Sequence, residues 1–349
     1  MIKVLIVDDS KVVQELLKHI FTYDPDIKVL GVANSGREAI ELTRILKPDV
    51  ITMDFHMPDI NGSEATRIIM ETLPTPIVIV SGSISTSDVT YSLSLLEDGA
   101  LAVVLRPPGI SHPDHFRSSR EMIQTIKLMS EIKVVKVFPR QRKVRLQMAE
   151  EKPAEIKRNS DFSLIAIGAS TGGPLVLQKI LSVLPSDLPV PVLIVQHIAA
   201  GFVKGFVEWL STTSGIPLTI PSDGEILKAG VGYIAPDDFH MGIQNGHSIV
   251  LSALPPENGL RPSVDFLFRS VAAVSGGNAI GVLLTGMGKD GAAELKTMKA
   301  TGSLTIAQDS ESSIVFGMPG EAIKIGAAEH ILHMDKIGGF LKDLVKNNR

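Results

Sequence analysis

Hydrophobic and polar positions follow one repeated pattern through residues 1–125. Short runs rich in β-branched residues recur about every 25 residues, and stretches with apolar residues at helical spacing separate them. The runs are VLIVDD, KVLGVA, DVITMD, PIVIVSG and LAVVLRP, and the separating stretches include KVVQELLKHIF, GREAIELTRIL and GSEATRIIMETL. Repetition of a strand followed by a helix predicts a parallel sheet covered by helices on both faces, which is a doubly wound α/β domain.

The same pattern returns after residue 160. SLIAIG, VPVLIVQH and AIGVLLTG are typical of buried strands, and GGPLVLQKILSVL and AAELKTMKA are typical of helices. They predict a second doubly wound domain, Rossmann-like, over residues 161–349. Residues 126–160 are crowded with charge, show no sustained period and include Pro139 and Pro153, so they are predicted to be a charged linker.

Composition narrows the classes of function. A chain of 349 residues favours two domains, and 44% hydrophobic with 21% charged residues is ordinary for globular proteins. A net charge of −4 argues against a nucleic-acid or membrane-surface binder, and the absence of cysteine excludes disulfides and thiolate metal sites. The start MIKVLIVDDS is unlike a signal peptide, and no apolar run approaches the roughly 18 residues of a membrane span. The expectation is a cytoplasmic protein with no direct membrane insertion.

Charged and hydroxyl residues follow the predicted strands of residues 1–125. Asp8 and Asp9 close the first strand, Asp54 the third, Ser81 the fourth and Arg106 the fifth. The carboxyl ends of parallel strands share one edge of a sheet, so these side chains are expected to meet there. Clustered carboxylates favour a hard cation such as Mg²⁺, which prepares one of them for attack on a phosphoryl group. Single residues could instead cap a helix or open a turn, but their position at successive strand ends favours the shared site.

These motifs carry a family resemblance. Residues 1–125 resemble a response-regulator receiver domain, which has a flavodoxin-like fold, through VDDS, MDFHMPDINGSEA and VSGS. The resemblance implies that Asp54 is the phosphoacceptor and that Asp8, Asp9 and Asp54 bind Mg²⁺. It further implies that Ser81 signals the phosphorylated state and that a histidine kinase supplies the phosphoryl group.

Two positions depart from the receiver pattern. Arg106 stands where the family usually has lysine before the fifth-strand proline, and Val103 stands where it usually has an aromatic residue. A guanidinium is a planar fork rather than a compact ammonium, so Arg106 is expected to hold the phosphoryl group differently. A valine cannot reproduce the swing of an aromatic ring. Altered switching is therefore a hypothesis at these two positions.

The turn IGASTGGP has three interpretations. A P-loop requires lysine and a hydroxyl residue after its last glycine, whereas Gly173 is followed by Pro174. A dinucleotide fingerprint requires glycine at the place of Ser170 and an acid after the next strand, where Gln196 and His197 stand. The third interpretation is a G-x-S-x-G turn, which exposes a nucleophilic serine beside the amides that open a helix. The residues favour this last interpretation.

A nucleophilic serine requires a base and an orienting acid. His197 follows the strand next in sequence, and Asp290 follows the strand AIGVLLTG, although Asp290 could instead be only a helix cap. The glycine-flanked amide of Met287 is a candidate oxyanion donor. His240 and His247 fall in turn-rich stretches and are expected at the surface. No grouping of histidines and acids here has metal-ligand spacing, so esterase chemistry is expected to need no cofactor.

Residues 161–345 resemble the catalytic domain of the chemotaxis protein-glutamate methylesterases. The matching segments are IGASTGGP, VQHI, YIAPDDFHM, RPSVDFLF, LLTGMGKDGA and AQDSESSIVFGMPGEAI. The resemblance implies that Ser170, His197 and Asp290 form a catalytic triad, and that Thr171 and Met287 line the oxyanion site.

The resemblance also implies a substrate and its control. Arg261 would lie along the substrate groove. The substrates would be γ-methyl glutamates on methyl-accepting chemoreceptors, and also glutamines on the same receptors, which would be deamidated. The unphosphorylated receiver would cover the groove until Asp54 is phosphorylated. Two alternatives remain open from the residues: a phosphorylation-dependent binding regulator of a kinase or receptor without esterase turnover, and a nucleotide-binding α/β enzyme.

Overall fold

The computed structural model describes residues 1–134, 162–245 and 247–346. Most of the predicted linker, from residue 135 to residue 160, lies outside the described residues. The last helix before it extends to Ser130, five residues beyond the domain limit expected at residue 125. Among the helices in the described ranges, none combines the length and apolar character needed to span a bilayer.

Five parallel strands form the sheet of the first domain, in the order β2-β1-β3-β4-β5. The central strand β3 is buried along its whole length, as the largely apolar, β-branched run VITM predicts. Helices cover both faces. The elements are β1 Ile2–Val7, α1 Lys11–Phe21, β2 Ile27–Ala33, α2 Gly36–Leu46, β3 Val50–Met53, α3 Gly62–Thr72, β4 Ile77–Ser81, α4 Thr86–Ser94, β5 Ala102–Leu105 and α5 His115–Ser130.

Local capping sets where the helices of this domain begin. The Ser35 hydroxyl accepts from the amide of Glu38, and the Glu38 carboxylate accepts from the amide of Asn34, so α2 opens with reciprocal side-chain caps. Asn61 accepts from the Glu64 amide in the same way at α3. These caps fix where α2 and α3 begin, close to the sheet edge where the acidic side chains lie.

Seven parallel strands form the sheet of the second domain, in the order β14-β13-β12-β6-β7-β9-β8. Both predicted sheets are therefore confirmed as parallel and helix-covered. The elements are β6 Leu164–Ala169, α6 Gly173–Ser182, β7 Val192–Gln196, α7 Val203–Ser211, β8 Leu218–Thr219, β9 Gly232–Ile234, β10 His240–Gln244, β11 Ser248–Ser252, α8 Val264–Ser275, β12 Ala279–Leu283, α9 Ala292–Ala300, β13 Leu304–Gln308, α10 Met318–Lys324, β14 His330–Leu332 and α11 Met334–Lys346.

An antiparallel hairpin formed by β10 and β11 lies apart from the second sheet and packs on α8. It corrects the expectation that His240 and His247 are surface residues. His240 opens β10 and is fully buried, with its ring stacked 4.8 Å from that of Phe266 on α8, and His247 is half-buried. The expectation failed because turn-rich flanks do not reveal that the hairpin packs against a helix.

The two domains meet through α4 and α7. Val89 of α4 and Phe206 of α7 belong to one continuous apolar cluster. The Thr90 hydroxyl donates to the Gly205 carbonyl at 3.2 Å, and a β-carbon at Gly205 would press on Val89. A second link joins Gln178 Nε2 to the Glu97 carboxylate at 2.7 Å. The carboxyl edge of the second sheet is therefore held beside the receiver-like domain.

Candidate active site

Ser170 occupies a tightly fixed turn between β6 and α6. Its amide donates to the Thr285 carbonyl at 3.0 Å, and its carbonyl accepts from the Gly173 amide at 2.8 Å and from Gln196 Nε2 at 2.9 Å. Gly172 has a φ of 80°, the left-handed region that favours glycine, which explains the glycine after Ser170-Thr171. The turn therefore presents the serine at the carboxyl edge of the sheet, as predicted.

Strand register brings His197 beside Ser170. Ala169 pairs with Gln196 across β6 and β7, and the His197 amide donates to the Ala169 carbonyl at 2.9 Å. The following residues, Ser170 and His197, therefore leave neighbouring strands at the same level. His197 Nε2 lies 3.0 Å from Asp290 Oδ2. Within the described ranges, no hydrogen bond joins the Ser170 hydroxyl to the His197 ring, an arrangement common in enzymes without substrate.

Asp290 is buried and surrounded by donors from the start of α8. Oδ1 accepts from the Ser263 hydroxyl at 2.8 Å, and Oδ2 accepts from the Val264 amide at 2.7 Å. Burial alone would raise the pKa of Asp290, but the hydrogen bond and charge of His197 with these donors hold it below its usual value. Asp290 is thus the ionised partner of His197 at neutral pH, rather than only a cap for α9.

Two backbone amides close to Ser170 in the chain fold, those of Thr171 and Met287, are the candidate oxyanion donors. Among the described residues, neither the Thr171 N–H nor the Met287 N–H donates to another group. Gly286 lies so close to Ser170 that a side chain there would collide with the serine β-carbon. The Met287 peptide directly follows this close approach to Ser170. The Met287 side chain itself is 46% exposed.

Two polar residues that the sequence did not single out, Thr285 and Gln308, hold the Ser170 turn in place through buried hydrogen bonds. Thr285 is fully buried, and its hydroxyl donates to the Thr171 carbonyl at 3.0 Å and accepts from the Val315 amide at 2.9 Å. Gln308 accepts from the Thr285 amide at 2.8 Å. Gln308 ends β13 and Thr285 lies two residues after β12, so each closes an apolar run, which was the signal available in the sequence.

A cleft of about 1040 Å³ lies between the domains at this edge. Ser170 and His197 line one wall, and Val103 and Arg106 line the other. Arg261 also borders the cleft, where its guanidinium donates to the carbonyls of Ala253 and Leu254 at 3.1 and 3.2 Å, which fixes it along the wall. The first domain therefore forms one wall of the cleft that contains the serine.

The predicted acidic site of the first domain is assembled at the end of its sheet. Asp8, Asp9 and Asp54 each place a carboxylate oxygen within 4.8 Å of the others. Burial, followed by the charge of Asp8, raises the pKa of Asp54 to about 6. Burial likewise raises the pKa of Asp8. Three crowded carboxylates, of which Asp8 and Asp54 are partly desolvated and Asp9 is exposed, form a donor set that suits a divalent hard cation.

Ser81 and Arg106 flank this acidic site. Ser81 is fully buried, and its hydroxyl donates to the Ser83 carbonyl at 3.0 Å. The Arg106 amide donates to the Ser81 carbonyl at 2.7 Å, and the guanidinium lies over Gly82. The positive charge of Arg106 favours the ionised form of Asp8 and lowers its pKa, but the larger effect of burial leaves that pKa above its usual value.

The fold and the two sites define a class: a receiver-like α/β domain joined to an α/β domain with a serine-histidine-aspartate arrangement. A family model described as CheB methylesterase matches residues 165–341, and one described as response regulator receiver domain matches residues 4–111. The chain therefore belongs to the CheB methylesterase family and carries a receiver domain.

Full-length relatives agree with this membership. A protein of Nitrosospira multiformis named protein-glutamate methylesterase/protein-glutamine glutaminase is 50% identical over 345 residues, which cover 99% of this chain and 97% of that protein. A protein of the same name, numbered 4, from Geobacter metallireducens is 51% identical over 338 residues, 97% of each chain. The crystal structure of the Thermotoga maritima CheB methylesterase catalytic domain is similar with a TM-score of 0.51 at 41% identity, covering 53% of this chain and 99% of that one.

Proposed function

We propose that this chain hydrolyses glutamate methyl esters on chemoreceptors, and deamidates glutamines there, under control of its receiver domain. The full-length relatives named methylesterase and glutaminase support the activity. The 3.0 Å contact of His197 Nε2 with Asp290, beside the strand-end Ser170, is the observation that supports the assignment of the residues.

The geometry supports one order of proton transfers. Nε2 of His197 faces Asp290, so Nδ1 is the ring nitrogen left to accept the Ser170 proton. Ser170 Oγ attacks the ester carbonyl, and the Thr171 and Met287 amides donate to the oxyanion. His197 then returns the proton to the departing methanol, or to ammonia when the substrate is glutamine. Water attacks the acyl-serine with His197 again as base, which frees the glutamate and restores Ser170.

The receiver supplies the control in this proposal. Asp54 accepts a phosphoryl group, for which a histidine kinase is the expected donor. Asp8, Asp9 and Asp54 would hold Mg²⁺, which when bound neutralises charge between the carboxylate and the phosphoryl oxygens. Because the receiver forms one wall of the cleft, loosening its contact would open the path to Ser170.

Methanol release from a methylated receptor cytoplasmic fragment tests this function. The purified protein is compared with Ser170→Ala and with protein treated with a small acyl phosphate and Mg²⁺. We expect release that disappears in Ser170→Ala and rises with the phosphodonor. No release from folded protein on a cognate receptor would contradict the esterase and favour a binding regulator. Serine-dependent release that does not change with the phosphodonor would contradict only the regulation by the receiver. It would indicate that Arg106 and Val103 alter the switch.

A further inference from the structure

Two buried acids cap each other's helices beside the candidate triad. Asp290 precedes α9 and accepts from the amides of Val264 and Asp265 at the start of α8, at 2.7 and 3.2 Å. Asp265, in the first turn of α8, accepts from the Gly291 amide at 2.9 Å, and Gly291 directly follows Asp290. The starts of α8 and α9 are therefore bound to each other by reciprocal carboxylate–amide bonds.

This arrangement is unfavourable as helix capping alone. Asp265 is 9% exposed and Asp290 is 2% exposed. Burial, followed by the charge of Asp290, raises the pKa of Asp265 to about 6. In the described parts of the chain, no lysine or arginine forms an ion pair with Asp265, since Arg269 is paired with Glu257 and Glu294. A serine or asparagine would cap a helix without placing a second carboxylate there.

The bonds to Asp290 explain what the arrangement achieves. Oδ1 of Asp290 is held by the Ser263 hydroxyl and the Asp265 amide, and Oδ2, which accepts from the Val264 amide, faces His197 at 3.0 Å. The bond from Gly291 to Asp265 anchors the peptide next to Asp290, which limits rotation of the loop that carries the acid. A displaced Asp290 would no longer align the His197 ring.

We propose that Asp265 is a positioning residue that fixes Asp290 against His197. This inference rests on the proposed function, because it assigns Asp290 its part in the triad. Asp265 acts through Gly291 and Asp290; its other carboxylate oxygen accepts from the Asn258 side-chain amide at 3.4 Å, and no hydrogen bond in the described ranges joins it to Ser170. Its carboxylate oxygen, rather than its charge, is the feature that the Gly291 amide requires.

Two readouts in the full-length protein test the proposal. The first is the rate at which a fluorophosphonate labels Ser170, which depends on an activated serine and needs no receptor. The second is kcat and KM for methanol release from a methylated receptor fragment. The variants are Asp265→Ala, Asp265→Asn, whose amide oxygen can still accept from Gly291, and the control Asp335→Ala, which removes an exposed first-turn acid of α11.

We expect Asp265→Ala to lower the labelling rate and kcat about tenfold or more, with KM within about twofold of the wild type. Asp265→Asn restores both rates to within about threefold, and Asp335→Ala leaves them unchanged. Should Asp265→Ala not fold, Asp265→Glu, which moves the carboxylate by one methylene, is expected to slow labelling instead.

Labelling of Asp265→Ala, or of Asp265→Glu in its place, at the wild-type rate would overturn the proposal. Equal losses in Asp265→Ala and Asp265→Asn would also overturn it, because they would show that charge matters rather than the bond to Gly291. Wild-type labelling without methanol release would contradict the proposed function while leaving the positioning result to be decided by the labelling rates. Failure of the wild type to label at all would contradict both.

Discussion

Replacing Gly205 by alanine should release the receiver without damaging either domain. Gly205 lies in α7 where this helix crosses α4. A β-carbon built there would lie 2.6 Å from the β-carbon of Val89 and 2.9 Å from the Thr86 carbonyl oxygen. Carbon atoms in ordinary contact are about 3.5–4.0 Å apart, so the two helices would have to separate by about 1 Å. The backbone carbonyl of Thr86 cannot rotate away as a flexible side chain could.

The free-energy cost of Gly205→Ala falls on the contact between the two domains. Overpacking of this kind costs about 1–3 kcal/mol, and here the colliding atoms belong to different domains. Within α7 itself, alanine is favoured over glycine by about 1 kcal/mol, so the catalytic domain should become slightly more stable. A penalty of about 1–3 kcal/mol on the domain contact shifts its equilibrium roughly 5- to 150-fold toward the separated state.

The assay is methanol release by unphosphorylated protein at a receptor concentration below KM. Gly205→Ala should raise the rate about fivefold or more, and a phosphodonor should then add little. Gly339→Ala is the matched control, because a β-carbon at Gly339 in α11 meets nothing within 4 Å. A basal rate in Gly205→Ala equal to that of Gly339→Ala would contradict this prediction, because it would show that the α4–α7 contact does not restrain access to the serine.

Three further predictions concern single side chains. Asp290→Asn should lower kcat by about 10³-fold or more, because it removes the negative charge that stabilises protonated His197; methanol release by protein with unchanged circular dichroism checks this. Asp54→Asn should raise the thermal midpoint of the receiver at pH 7.5 by roughly 2–8 °C, since the raised pKa of Asp54 means that ionisation above about pH 6 destabilises the fold. That gain should close as the pH falls from 6 toward 4, and a gain independent of pH would contradict it. Thr285→Val should lower the free energy of unfolding by about 1–3 kcal/mol, because it leaves the buried Val315 amide without its acceptor, and it should also lower kcat. Denaturant unfolding measures the first effect and methanol release the second. An unchanged unfolding midpoint would contradict the role of Thr285.

Much of both sheets could be predicted because period and strand-end position are local properties of a sequence. Ser170 and His197 end apolar strands that are adjacent in sequence, and parallel pairing then places them at one level. Asp8 and Asp54 follow β1 and β3, which are neighbours in the sheet although β2 separates them in sequence, and the pairing of Val7 with Met53 places them at one level. The bonds between Asp265 and Gly291 could not be predicted, because they depend on how α8 packs against α9. The buried place of His240 was missed because it depends on a hairpin that leaves the sheet.

The cleft shared by the two domains has a kinetic consequence. A receptor segment that reaches Ser170 would enter a cleft whose other wall is the receiver, so under the proposed control the receiver competes with the receptor from within the same chain. When docking of the receiver and binding of the receptor exclude each other, weaker docking raises the apparent affinity for the receptor. Phosphorylation should therefore lower the apparent KM for receptor more than it raises kcat, and a high receptor concentration should partly open the enzyme by mass action alone.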